Sequence, residues 1–394
     1  MSKILKILQI VPSISLVYGG PSQMILGLSS ALAAQGMEVT VITTDSNGDS
    51  GQAPLDVPLN TPVEQDGYQV RYFHCSPFRR YKFSIELLRW LSTNSAKFDI
   101  AHIHALFSPI STAAATVSRA KKLPYILRPL GTLDPADLSK KKQLKKLYAA
   151  LWEKHNLAGA AAIHFTSIQE AKISERFGTQ TEDLIIPLGV CPPLVRKEHE
   201  RVRAEFLIPD DRLLVLFMSR IDPKKGLDLL IPALEKLLKE NNIFHFVLAG
   251  TNPQDPSYEK QIQQQIEDST LASRTTITGF VTGEIKAALL QEAALFVLPS
   301  YYENFGIAVA EAMVAGTPVV ISDQVHIWQD VKDAEAGWVC ACDLEALATT
   351  LSEALRDTGE LRRRGKNAQD YALRNYSWDA IASTMIQAYR QILE

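Results

Sequence analysis

Residues 294–323 read ALFVLPSYYENFGIAVAEAMVAGTPVVISD. The apolar run ALFVLPS is continuous rather than alternating, and so is PVVISD at the far end. Between them lie a polar, aromatic loop and a stretch with helical spacing. Continuous Val/Ile/Leu runs joined by a helix indicate parallel strands buried on both faces. The small residues of AMVAGT imply that this helix packs tightly, so Glu311 within it is not expected on an open surface.

The same alternation extends in both directions. Upstream lie LLVLFMSRI, HFVLAG and TTITGFV, and downstream GWVCA, with helical stretches between them. The first half repeats the pattern in KILQIV, EVTVITT, QVRYFHC, DIAHIHA, PYILRPL, AAIHFTS and LIIPLGV. Its first helix, SQMILGLSSALAAQG, closes on Gly36 as a C-terminal cap would. Around 191–212 the pattern pauses in CPPLVRKEHERVRAEFLIPDD, which mixes prolines with charges and reads as an interdomain link. A length of 394 residues also exceeds one ordinary core. The expected fold is α/β, with two tandem Rossmann-like, doubly wound domains spanning 1–190 and 191–376. They should face a cleft in which a ligand meets the carboxyl ends of the strands.

Composition narrows the class. With 46% hydrophobic and 22% charged residues the chain is globular, and a net charge of -3 gives no reason to expect nucleic acid as a partner. The opening MSKILKILQIVP has no small-residue cleavage site and runs into a GGPS turn, so it reads as a buried first strand, not a signal peptide. No stretch is apolar enough for a membrane span, and a cytoplasmic location is expected. Cys75, Cys191, Cys340 and Cys342 form no CxxC pair. Cys340 and Cys342 would share one face of a short strand, as core thiols or, alternatively, as a metal or redox pair.

Four groups of residues follow strands and so would line the cleft. Gly19-Gly20-Pro21-Ser22 opens a helix, where glycine lets backbone amides approach an anion; a plain turn is the competing reading. A dinucleotide site would suit Asp45, but the G-x-G-x-x-G spacing is absent. In Ser219–Gly226, Arg220 and Lys225 project from a strand-to-helix turn and would stabilise a departing diphosphate without a metal; alternatively this is an exposed basic turn. In the opening stretch, Glu303 would hold sugar hydroxyls and Glu311 the two ribose hydroxyls, with the amides of Phe305, Gly306 and Ile307 presented at the helix start. Against this, two acids there could merely oppose the helix dipole. Finally, in Ala101-His102-Ile103-His104, strand alternation is taken to set the rings on opposite faces or one at the strand tip. That disfavours a shared metal, leaves His102 as a core residue and frees His104 for a sugar hydroxyl.

Together ENFGIAVAEAMVAGTPVV, SRIDPKKG upstream of it and YGGPS near the start resemble the retaining glycosyltransferases of family 4, which have the GT-B fold. RPLGTLDP and AAAIHFTSIQE in the first half are similar to bacterial and cyanobacterial exopolysaccharide transferases. The resemblance implies a nucleotide-sugar donor, UDP-glucose being the first choice, and a saccharide or lipid-linked saccharide acceptor. Gly20 would meet the donor phosphates, Arg220 and Lys225 the diphosphate, Glu303 the sugar, Glu311 the ribose and His104 a sugar hydroxyl. The base would lie near Gly250 and the backbone of Phe280 and Val281. It further implies that 1–190 is the acceptor-side domain, with the final helix 377–394 returning onto it, that 191–376 binds the donor, and that the configuration is retained.

The chain departs from the family at Gln324-Val325-His326-Ile327-Trp328, where many relatives carry glycine-glycine-x-proline-glutamate, and it has no Asp-x-Asp. No cofactor and no metal are therefore expected. The alternatives are a nucleotide-sugar 2-epimerase of the same fold and an inactive nucleotide-sugar-binding subunit. On the acceptor side Arg128, at a strand end, is a candidate contact. The Lys-rich stretch 138–155 with interleaved Leu, Tyr and Trp would either rest peripherally on anionic membrane at the inner face or be a solvated helix with a core-facing apolar stripe, the commoner arrangement.

Overall fold

The computed structural model describes residues 3–48, 52–76, 81–139, 142–193, 199–240 and 243–394. Part of the expected link, 194–198, and Lys140 and Lys141 of the basic stretch lie outside these residues. The chain divides into two compact units, Met1–Gly189 with Trp378–Glu394, and Val190–Ser377.

The first unit is built on an eight-stranded sheet in the order β3-β4-β2-β1-β5-β6-β7-β8. Its strands are β1 Lys6–Ile10, β2 Glu38–Thr44, β3 Pro62–Gln65, β4 Tyr68–Phe73, β5 Ile100–His104, β6 Tyr125–Arg128, β7 Ala162–Phe165 and β8 Asp183–Ile185. β1, the run that could be mistaken for a signal peptide, sits between β2 and β5 in parallel register. Alternation along it splits the core. Ile7 joins a cluster under the helices Gly20–Ala34 and Trp378–Leu393, whereas Leu8 and Ile10 join one under Ile85–Asn94 and Pro109–Ala120. The terminal helix is anchored by Trp378, whose ring fills a slot at two glycines. A Cβ on Gly27 would lie 2.4 Å from it and one on Gly189 2.2 Å. The edge strand β3 pairs antiparallel with β4 through Asp66-Gly67, both at positive φ (45° and 82°), as a tight two-residue hairpin requires.

The second unit has one six-stranded sheet, all parallel, in the order β11-β10-β9-β12-β13-β14. Its strands are β9 Leu213–Met218, β10 Phe244–Ala249, β11 Thr275–Gly279, β12 Leu295–Leu298, β13 Val319–Ser322 and β14 Gly337–Cys340. The chain winds outward from β9 through β10 to β11, then returns to place β12 on the other side of β9. The strand order therefore reverses between β9 and β12, which is where doubly wound sheets open a crevice for ligands. Among the described residues no helix is long and apolar enough to cross a membrane.

Candidate active site

In the second unit, the loops leaving β9 and β12 flank this reversal. The first ends in a short 3-10 turn, Pro223–Lys225, and Gly226 in left-handed conformation (φ 72°). A Cβ on Gly226 would fall 2.1 Å from the carbonyl oxygen of Pro299, so only glycine lets this loop lie directly on the one after β12. The Tyr301 amide donates to the Lys224 carbonyl at 2.8 Å. Across this seam Lys225 forms an ion pair with Glu303, both side chains mostly buried. Gly250, after β10, repeats the close approach: at φ 144° its Cβ would stand 1.9 Å from the Ser219 carbonyl oxygen, and its amide donates to Gly279. The ends of β9, β10, β11 and β12 are thus locked together through backbone.

Glu303 is held from its other side as well. Its amide donates to the Gln324 carbonyl at 3.1 Å, and its carbonyl accepts from His326 at 3.0 Å. The segment Gln324–His326, where the sequence departs from the pattern it otherwise resembles, therefore braces the acid. Two residues on, Phe305 is buried edge-on against Tyr376 at 5.3 Å, and Gly306 (φ 80°) opens the helix Ile307–Ala315. Opening a helix leaves the amides of its first turn without intrahelical acceptors. Glu311, one turn in, pairs with Lys286 at 2.5 Å. Both line a pocket of about 330 Å³ with Gly283, Leu290, Pro192 and Pro193. Arg220 is exposed and donates to Gln254 at 3.2 Å, while Phe280 is exposed and Val281 half-buried beyond β11. Lys225 and Glu303 are thus brought into contact. Glu311 has a lysine of its own, and the hydrogen bond of Arg220 goes to Gln254 rather than to either acid.

In the first unit a polar row crosses an otherwise apolar sheet. His102 and His104 do not lie on opposite faces. Residues two apart in a strand share a face, and their rings stack at 4.5 Å. Both are fully buried, so His104 is closed to solvent in this structure. Burial drives His102 and His104 well below the ordinary histidine range and His164 down to about 3, so all three are neutral. Their tautomers follow from the hydrogen bonds. His164 Nε2 donates to the Ile186 carbonyl at 2.8 Å, so its Nδ1 accepts from His102 Nε2 at 3.2 Å. His102 Nδ1 then accepts from the Tyr389 hydroxyl at 2.9 Å, which in turn accepts from Gln9 Nε2 at 3.3 Å. Gln9 Oε1 accepts from His104 Nε2 at 2.7 Å. The chain ends on His104 Nδ1, a buried acceptor with no partner among the described residues.

Next to it in register is Arg128, 4% exposed. Its Nε also has no partner among the described residues, and burial lowers the guanidinium to about 10. Gly20 begins the helix Gly20–Ala34, whose N-cap Gly19 takes the positive φ of 69°.

Sequence reasoning missed Lys286, the Gln324–His326 brace and the partners of His104. Lys286 lies on the helix Gly283–Glu292, twenty-five positions before Glu311, with no local spacing to join them. Cys342 lies beyond β14 rather than on one strand face with Cys340, its thiol against the Pro299 and Ser300 carbonyls at 3.7 Å. Burial pushes Cys340 up to about 12. Among the described residues no cluster of three or more His, Cys, Asp or Glu could hold a metal ion.

Residues 19–189 match the family model Glycosyl transferase 4-like domain, and 198–371 match Glycosyl transferases group 1. An uncharacterized glycosyltransferase of Methanocaldococcus jannaschii is 30% identical over 204 residues, 50% of this chain and 50% of that protein. The D-inositol 3-phosphate glycosyltransferase of Xylanimonas cellulosilytica is 27% identical over 395 residues, covering 95% of this chain and 92% of its own. The chain thus aligns with about half of the first relative and nearly all of the second. Sucrose-phosphate synthase of Thermosynechococcus elongatus superposes with a TM-score of 0.74 at 24% identity, over 98% of this chain and 99% of that one. HepE of Anabaena, solved in complex with UDP and glucose, gives 0.73 at 18% identity over 98% and 100%. With both its units matched, this chain belongs to the glycosyltransferases that join a 4-like domain to a group 1 domain in a GT-B fold.

Proposed function

We propose that this enzyme transfers a hexose from a nucleotide-diphosphate sugar, with UDP-glucose as the leading donor, to a saccharide or lipid-linked saccharide acceptor in exopolysaccharide or glycoconjugate synthesis, retaining anomeric configuration and using no metal or other cofactor. The observation that carries the reading is the Lys225–Glu303 ion pair, seated where the strand order reverses and fixed by glycine-mediated loop contact.

In this reading Lys225 turns to the departing diphosphate with Arg220, while Glu303 accepts hydroxyls of the transferred sugar. Fixed cations stabilise a leaving group best when they need no reorganisation, and the braced loops supply that. Glu311 accepts the ribose hydroxyls, with Lys286 holding its carboxylate in place. The pocket they line, of about 330 Å³, is large enough for the nucleoside end of a donor. Phe305, Gly306 and Ile307 supply backbone donors at a helix start. The base is assigned to the neighbourhood of Gly250, Phe280 and Val281.

To the first unit the proposal gives Gly20 as a phosphate contact, Arg128 as a contact for an anionic acceptor, and His104 as acceptor of a sugar hydroxyl through Nδ1 once that buried atom is uncovered. A relative named for an inositol phosphate and a structural neighbour solved with UDP and glucose support these choices of acceptor charge and donor. With no carboxylate placed as a nucleophile, front-face attack with the leaving phosphate as base is the proposed route to retention. The matches favour neither the epimerase nor the inactive subunit.

The test is incubation with a panel of UDP- and GDP-sugars, with release of free nucleoside diphosphate as the readout. Slow release from UDP-glucose without acceptor is expected. A C2-epimer, or binding with no turnover of any donor, would contradict the reading, and a trapped glycosyl-enzyme adduct would overturn the front-face route.

A further inference from the structure

The basic stretch of the first unit is an unbroken helical segment, Lys142–Tyr148, a wider π turn at Ala149–Glu153, then Lys154–Gly159. Its inward face is fastened by polar contacts. The buried Glu153 carboxylate accepts from the Phe107 amide at 2.9 Å and the Thr112 hydroxyl at 2.6 Å. Asn156 donates to the Thr112 carbonyl at 3.0 Å. Ala149 and Leu157 complete the buried side. The apolar stripe expected to face the core therefore faces outward. Leu144 is 62% exposed, Leu147 58%, Leu151 53% and Trp152 48%. Spacings of three and four residues put the leucines on one side of a helix.

Charge on this outer face has one sign. Lys142, Lys146 and Lys154 are exposed, and Lys140 and Lys141 precede them in the sequence. The two acids between 137 and 159 are Asp137, paired with Lys145 at 2.6 Å, and the buried Glu153. No acid in the segment is left to neutralise the outward lysines. Large apolar side chains flanked by unneutralised lysines match the boundary of an anionic bilayer, where the rings and leucines enter the acyl region and the ammonium groups meet headgroups. A second copy of the chain fits poorly, because a twofold contact through this face would set the same lysines against each other.

We propose that the face bearing Leu144, Leu147, Leu151 and Trp152 docks this protein peripherally on an anionic lipid surface. Binding is independent of sugar transfer, so the proposal stands or falls without the donor assignment.

The test is flotation of the full chain with phosphatidylcholine vesicles, with or without phosphatidylglycerol. The chain should float with the mixed vesicles, and brominated lipid should quench a part of the tryptophan fluorescence that Trp152→Phe removes. Leu147→Glu with Trp152→Glu should abolish flotation. Lys142→Gln, Lys146→Gln and Lys154→Gln together should weaken it roughly tenfold or more. Unchanged thermal melting would show that these exposed changes leave the fold intact. No flotation by the native chain would overturn the proposal, as would flotation that Leu147→Glu with Trp152→Glu leaves unchanged. So would sedimentation showing a dimer that those two changes dissociate.

Discussion

The strand ends of the two units are built from opposite chemistry. In the second, Lys225 pairs with Glu303 beside the reversal of strand order, and Lys286 pairs with Glu311 between the helices Gly283–Glu292 and Ile307–Ala315. In the first, β5 and β7 carry neutral, buried histidines, fixed in tautomer by Gln9, Tyr389 and Ile186, beside one buried arginine that ends β6. Charges kept near solvent can exchange partners when an anionic ligand arrives. A buried neutral network cannot exchange cheaply, but it can hold one acceptor atom at a set position. In the proposed reaction the charged pair would meet the changing charge of the leaving group, while the histidine network would orient a neutral hydroxyl.

Breaking the charged side should have the largest effect. Lys225→Ala or Glu303→Ala is expected to lower kcat at least about 100-fold, the equivalent of about 2.7 kcal/mol for the loss of one electrostatic stabiliser. Steady-state turnover with UDP-glucose checks this, and near-native turnover in either variant would remove that residue from the site.

Acid should break the neutral side first. An unfolded histidine takes a proton near pH 6.5, while His164 in the folded chain does so only near pH 3. Stability from this group is therefore present above pH 6.5 and lost as the pH falls toward 3, by about 1.4 kcal/mol per pH unit. Denaturant unfolding at a series of pH values should show a steep loss below pH 6.5, and His164→Gln should flatten that slope. An unchanged slope in the variant would mean that His164 does not hold its proton off in the folded chain.

Smaller changes sharpen the comparison. Lys286→Met should raise the donor KM roughly tenfold with kcat little altered, since it unpairs Glu311 without touching the diphosphate. An equal fall in kcat would place Lys286 nearer the reacting atoms. Tyr389→Phe should cost about 1 kcal/mol of stability, because Gln9 and His102 each lose a partner. Melting temperature is the check, and no change would mean water replaces the hydroxyl.

Much of this architecture was legible in the sequence, because continuous apolar runs and helical spacing are local signals. LLVLFM, HFVLA and LFVL lie in β9, β10 and β12, and the 294–323 stretch holds the loop that carries Glu303. The short edge strand β3 escaped, although Asp66-Gly67 between polar alternating residues is a hairpin signal. A strand period of two rules out opposite faces for His102 and His104, whereas His104 does stand at the tip of β5. What spacing cannot reveal is contact between distant segments, such as Lys286 against Glu311 or the Gln324–His326 brace of Glu303. Nor does periodicity say which side of a helix is the core. The leucines of 144–151 are outward because Glu153 and Asn156, polar and unremarkable in sequence, are the ones that dock.

The most direct test of the central claim is a crystal structure of the protein with UDP-glucose or a slowly reacting analogue. It should show diphosphate oxygens within about 3 Å of Lys225 Nζ and the Arg220 guanidinium, with the ribose on Glu311. A diphosphate bound away from the carboxyl ends of β9 and β12, with these side chains untouched, would contradict it.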